Sequence, residues 1–393
     1  MTDLVVKIAG RIAAVPDADW DACALGPHAA ALGVDPHCPF VSHAFLAALE
    51  ESGSVGPRTG WAPAHVLVED PEGRLVACAP AYLKSHSQGE YVFDHAWADA
   101  YERAGGRYYP KLQVSVPFTP ATGPRLLVRP GERADEALAI LVAGLKALRA
   151  QANASSIHVT FLPKAQSERL GAEGFLQRID QQFHWLNDGY ASFDAFLETL
   201  ASRKRKTIRR ERRDALAAGI EIDWVRGAAI TQAHWDAFYA FYEDTGSRKW
   251  GRPYLNRRFF TSVGERLGER VLLILARRDG RHIAGAINFV GDETLYGRNW
   301  GCVEDHPFLH FEVCYYQAID FAIANGLKRV EAGAQGEHKL LRGYRPVATH
   351  SAHLIADRGL ERAVAHYLEE ERSFVNGIGA ELEAALPFKR AGD

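Results

Sequence analysis

The sequence predicts an α/β (α+β) protein of two tandem domains, each a mixed sheet flanked by helices. Its 393 residues exceed the ~250–300 at which a single hydrophobic core stops growing. A composition of 47% hydrophobic and 24% charged residues is that of ordinary globular protein. Strand-like alternation and helix-like apolar stripes then recur, in similar order, in both halves.

The first half opens on FVSHAFLAALEES (40–52), whose apolar residues fall at helical spacing. Alternation marks AHVLVED (64–70), RLVACAPAYLK (74–84), KLQVSVPF (111–118) and SIHVTFLP (156–163) as strands. Between the last two, ERADEALAILVAGLKALRAQA (132–152) is an apolar-striped helix.

The second half repeats this grammar. ITQAHWDAFYAFYEDTG (230–246) is a helix opened by Thr231 and closed near Gly246. Strands follow at 270–280, 281–291 and 294–303, the first two joined by a turn at Asp279-Gly280. HFEVCYYQAIDFAIANG (310–326) is a helix stopped by Asn325-Gly326, and KRVEAG (328–333) is a strand. Helix, three strands, helix, strand is the order of a GNAT acyltransferase core. The turn at Asp188-Gly189 sets the expected boundary, giving domains 1–190 and 191–393, and 360–386 reads as C-terminal packing helices.

Bulk properties exclude several classes. A net charge of -3 gives no global attraction to nucleic acid or anionic lipid, so any such contact is local. The five cysteines are scattered, with no C-x-x-C pair, which fits a reducing compartment and neither a disulfide framework nor a cysteine zinc site. The apolar start meets Asp17, Asp19 and Asp21 where a signal peptide needs small residues. No window reaches the ~18 apolar residues of a membrane span. The expectation is a cytoplasmic protein.

Three segments carry candidate chemistry. ASRKRKTIRRERRDALAAG (201–219) holds eight basic residues. Two readings stand: a solvated helix face, or a surface for phosphate-rich ligands through Arg203, Lys204, Lys206 and Arg209. YGRNWGCVEDHPFLHFEVCYYQ (296–317) runs from a strand end into a helix N-terminus, where backbone N–H groups accept anions. Arg298, Trp300, His310 and Glu312 are its candidate substrate contacts, and no Q/R-x-x-G-x-G/A pyrophosphate loop occurs. His306 and His310 mimic a zinc helix, but Pro307 places His306 outside it, so no metal is expected.

The third segment, EAGAQGEHKLLRGYRPVATHS (331–351), sets polar residues between glycines beyond a strand end, where ligands of open sheets gather. Glu337 or His338 can act as base, Lys339 can hold an oxyanion, Tyr344 can act as acid, and Gln335 and Arg342 can contact substrate. In the first half, PKLQVSVPFTPATGPRLL (110–127) offers Thr119, Thr122 and Arg125 to a cleft.

Taken together, 37–54, 117–127, 299–323 and GAQGEHKLLRGYRPV (333–347) resemble the FemAB-like family of predicted N-acyltransferases nearly end to end. The resemblance implies two GNAT-like domains, a link to peptidoglycan biosynthesis, and an amine acceptor. It also implies an acyl donor held by the second domain, with acyl-CoA or aminoacyl-tRNA as co-substrate and no tightly bound cofactor. The expected reaction is acyl or aminoacyl transfer to an amine, in some relatives on a cell-wall precursor, by direct attack without a covalent enzyme intermediate. Two rivals are an acyl-CoA-dependent N-acetyltransferase of small amines and a non-catalytic module that binds RNA or a cell-wall ligand. tRNA is thus a partner in one reading only, and oligomeric state is not legible.

Overall fold

A computed structural model describes residues 3–249, 253–333 and 336–389. The chain forms two compact units, Met1–Asp180 with Ala348–Asn376, and Gln181–Val347 with Gly377–Asp393. Asp188-Gly189 therefore lies inside the second unit, and residues 348–376 return to the first.

Fifteen strands occur among the described residues: β1 Val5–Ala9, β2 Trp61–Pro63, β3 His65–Glu69, β4 Leu75–Ala79, β5 Ala81–Lys84, β6 Lys111–Val114, β7 Leu127–Val128, β8 Ser156–Leu162, β9 Leu176–Leu186, β10 Glu221–Arg226, β11 Val271–Arg278, β12 Arg281–Val290, β13 Thr294–Cys302, β14 Arg329–Glu331 and β15 Arg345–Ile355. In the first unit, β1-β3-β4-β7 form one sheet, and β15-β8-β6-β5-β2 run side by side in another. The segment 74–84, read as one strand, is two. Pro80 has no N–H to give a ladder, and there the chain leaves β3 and β7 for β6 and β2.

The helix Ala134–Gln151 turns Leu141, Val142, Leu145 and Leu148 onto Val66, Val68, Leu112 and Val159 to make this unit's core. Because strand side chains alternate, the opposite face of β5, β6 and β8 carries Tyr82, Lys84, Lys111, Gln113 and His158, all buried. Lys111 Nζ donates to Ser87 Oγ at 2.7 Å, to Glu90 Oε2 at 2.6 Å and to Asp94. Tyr108 donates its hydroxyl proton to Asp94 at 2.7 Å, and the Nδ1 atoms of His158 and His353 share a hydrogen bond at 2.7 Å. Lys84 lies 3.4 Å over the Trp61 ring. Burial pushes Lys84 down to about 7 and His158 down to about 3.

In the second unit, β10-β11-β12-β13-β14-β9 form the sheet. The β11–β12 hairpin turns at Asp279 and Gly280, with φ of 51° and 76°, as the Asp-Gly pair requires. The helices Ser202–Leu216 and Gln317–Ala324 pack Ile208, Ala318, Ile319 and Ala322 into a core with Leu272, Ile274, Leu295 and Val330. In this unit the helices at 232–249 and 257–267, the strands β11, β12 and β13, the helix at 309–324 and β14 follow in the expected order of helix, three strands, helix, strand. Among the described residues no helix is long and apolar enough to cross a membrane.

Candidate active site

The second unit opens where two parallel strands part. β13 pairs with β14 only at Thr294–Tyr296, opposite Arg329–Glu331, and β13 then continues to Cys302. Arg298 is the extra residue of a bulge, since Asn288 faces Gly297 while Ile287 faces Asn299. A bulge bends its strand away from the ladder. Phe308, in a left-handed conformation at φ 62°, starts the next helix.

That helix is not uniform. After the turn Leu309–Phe311 it winds as a π-helical turn over Glu312–Tyr316 before resuming as Gln317–Ala324. Such turns cost hydrogen-bond geometry and gather at functional sites. Here the turn brings Tyr315 and Tyr316 to the segment Glu337–Arg342, a short 3₁₀ stretch. Tyr315 Oη and His338 Nε2 are 2.8 Å apart, and the His310 ring stacks edge-on to both Tyr315 and Trp300. Burial, then the charges of Arg342 and Lys339, lower His338 below the usual imidazole value. Lys339, buried, gives its ammonium to the carbonyl of Gly333 at 2.9 Å and is pushed down to about 8 by that burial.

Arg342 is the hub. Its guanidinium lies 3.5 Å over Phe311 and donates to Glu211 Oε2 at 2.9 Å, Tyr316 Oη at 3.0 Å and the His338 carbonyl at 2.8 Å. Tyr316 also donates to Glu211. Glu211, on the basic helix Ser202–Leu216, is the residue sequence reasoning missed. Two clefts flank the hub. One, of about 260 Å³, is lined by Trp300, His306, Phe308, His310 and Phe311 among others. The other, of about 300 Å³, is lined by Arg203, Lys204, Thr207, Glu211, Leu341 and Arg342 among others.

Of the residues singled out in the sequence, His338, Lys339, Arg342, His310 and Trp300 are brought together. Gln335 and the side chain of Glu337 lie outside the described residues. Tyr344 is fully buried, with no hydrogen-bond partner for its hydroxyl among the described residues, and burial pushes it well above the usual phenol value. Tyr315, not Tyr344, meets His338 through a hydroxyl. Glu312 corrects a second reading: it is fully buried and accepts from Arg212 at 2.9 Å and Gln317 at 2.7 Å. In the first unit Arg125 is also closed off, its guanidinium donating to the carbonyls of Thr160, Gly123, Pro124 and Ala121. Thr119 donates to the Pro117 carbonyl, and Thr122 is half-buried.

The basic helix splits into two faces. Arg205, Arg209 and Arg212 pair with Glu198, Asp194, Glu312 and Asp320, whereas Arg203, Lys204, Lys206 and Arg210 have no acidic partner among the described residues. Arg209, read as a phosphate contact, is thus already neutralised. No group of three His, Cys, Asp or Glu side chains among the described residues is arranged to hold a metal.

A family model described as peptidoglycan biosynthesis/recognition, FemAB-like, matches residues 11–390. No curated protein matches the chain. Among solved structures, a crystal structure of FemX is 13% identical, covering 89% of this chain and 98% of that one at a TM-score of 0.54. The C-terminal domain of a putative lysylphosphatidylglycerol synthetase from Agrobacterium fabrum is 10% identical, covering 88% and 95% at 0.52. A tandem GNAT protein from the clavulanic acid biosynthesis pathway is 14% identical, covering 90% and 99% at 0.46. At these identities, the first two likenesses establish the fold alone.

Proposed function

Because the chain belongs to the FemAB-like family of peptidoglycan biosynthesis and recognition proteins, we propose that it is an N-acyltransferase that passes an acyl or aminoacyl group to an amine, with the chemistry in the second unit. The observation that carries this is the His338–Tyr315 pair, 2.8 Å apart, beside Arg342 and Lys339. Direct attack needs a neutral amine, a proton acceptor and a counter-charge for the tetrahedral oxyanion. With Nε2–H donating to Tyr315, His338 keeps its Nδ1 lone pair for the amine proton. Its lowered pKa keeps the ring neutral at pH 7. The new N–C bond forms as the C–O bond of an ester or the C–S bond of a thioester breaks, and the amine proton passes to the leaving oxygen or sulfur.

The donor is a phosphate-bearing carrier, acyl-CoA or aminoacyl-tRNA. This is supported by Arg203 and Lys204, two cations without an acidic partner among the described residues, along the 300 Å³ cleft that the Arg342–Glu211 pair also lines beside the proposed base. The test is mass-spectrometric detection of N-acylated product. Purified protein is offered both donor classes with amines of cell-wall peptides and with small amines, in parallel with H338Q and Y315F. Transfer lost in H338Q and slowed in Y315F is the expected outcome. Transfer with neither donor, or at the full rate in H338Q, refutes the assignment.

A further inference from the structure

The basic helix has a face that extends beyond the donor cleft, sharing with it only Arg203 and Thr207. Arg203, Lys206 and Arg210 follow one another at three and four residues, one side of a helix over ~10 Å, opposite the buried Ile208, Glu211 and Ala215. With Ser202 and Thr207 they line an open groove of about 530 Å³. Of the helix's acid-paired residues, Arg205, Arg209 and Arg212 lie off this row, and Arg213, paired with its neighbour Asp214, continues it. The molecule as a whole carries a net charge of -3, so this is a local cationic surface on an acidic protein. Leu341, 46% exposed, borders the adjoining cleft that also contains Arg203 and Thr207.

We propose that this face docks the protein on an anionic phospholipid membrane, with headgroup phosphates in the groove. Three unneutralised cations in one row, Arg203, Lys206 and Arg210, with Lys204 beside the adjoining cleft, make a local basic cluster of the kind that holds a protein segment to anionic lipid, at roughly fivefold in affinity per cation. The exposed Leu341 adds an apolar contact of the kind an interface accepts. Single-stranded RNA would instead use aromatic platforms for its bases, and the groove lining contains none.

The experiment is sedimentation of the full chain with vesicles of phosphatidylcholine alone or with phosphatidylglycerol added. Wild type, K206Q/R210Q and the charge-matched control K164Q/K328Q are compared, the control removing two surface lysines outside the helix. Circular dichroism confirms that each is folded. Neither Lys206 nor Arg210 lines the donor cleft, so the readout is independent of transfer activity. The expected result is binding only to phosphatidylglycerol vesicles, weakened by salt, reduced about thirtyfold in K206Q/R210Q and unchanged in the control. Equal binding to neutral vesicles, or wild-type binding by K206Q/R210Q, overturns the proposal. So does binding of a single-stranded RNA oligonucleotide through these residues with no vesicle binding.

Discussion

Replacing Lys111 by Met tests whether the buried charges of the first unit hold it together. Lys111 is fully buried and bonds to two carboxylates, Glu90 and Asp94, whose side chains are each 2% exposed. Burial alone would raise Asp94, yet Lys111, His158 and hydrogen bonds hold it well below the usual carboxylate range. Methionine fills the space of the lysine stem but leaves two carboxyl groups without their shared cation. Breaking a buried pair in this way costs about 3–5 kcal/mol, a large part of a domain's ~5–15 kcal/mol. The assay is urea unfolding followed by tryptophan fluorescence, in which the midpoint of the first unit falls by roughly 1–2 M. The sign with pH is fixed. In wild type, the depressed Asp94 contributes stability above its unfolded value of ~4, and this is lost as pH falls. In K111M both carboxyls are raised above ~4, so they protonate in the native state and the variant recovers stability as pH falls from 7 toward 5. The gap between the two proteins therefore narrows on acidification. A loss below ~1 kcal/mol at pH 7, or a gap that widens on acidification, refutes the reasoning.

Tyr344→Phe removes a buried hydroxyl that has no partner among the described residues, so thermal denaturation should show a gain of about 1 kcal/mol with transfer intact; a clear loss of stability would mean that the hydroxyl is bonded. Glu211→Leu strips the counter-charge from Arg342 and should cost about 3–5 kcal/mol in chemical denaturation, with transfer reduced. Gly343→Ala asks for a Cβ at φ 83°, 2.7 Å from the Phe196 ring, and should cost at least ~1 kcal/mol by the same assay. His338 is held below 6.5 and must be neutral to act. kcat/KM should therefore rise with pH through a limb below 6.5 and be flat near 7. Removing the Lys339 charge in K339M should move that limb to higher pH, and an unmoved limb would exclude His338 as the titrating base.

How much of this was legible in the sequence depends on the range of the signal. The β11–β12–β13 meander was readable because alternation and the Asp279-Gly280 turn are local. The return of residues 348–376 to the first unit was not. β15 pairs with β8, nearly two hundred residues earlier, through a register shift at His350/Ser351 that breaks its alternation. The π-helical turn was also illegible, since HFEVCYYQ scans as an uninterrupted helix; only packing reveals that Tyr315 and Tyr316 point to His338 and Glu211. Glu211 itself left a signal. It sits three residues after Ile208 and four before Ala215, on the apolar stripe of an otherwise basic helix. A carboxylate on that stripe must be buried, and a buried carboxylate needs a cation from another element. The neighbouring arginines of its own helix are turned elsewhere, so the partner had to come from a distant segment rich in polar residues. The RGYRP turn, already singled out for its density of such groups, supplies it as Arg342. The charge pattern of the helix thus carried evidence that it is bound to the candidate active site, which its composition alone did not express.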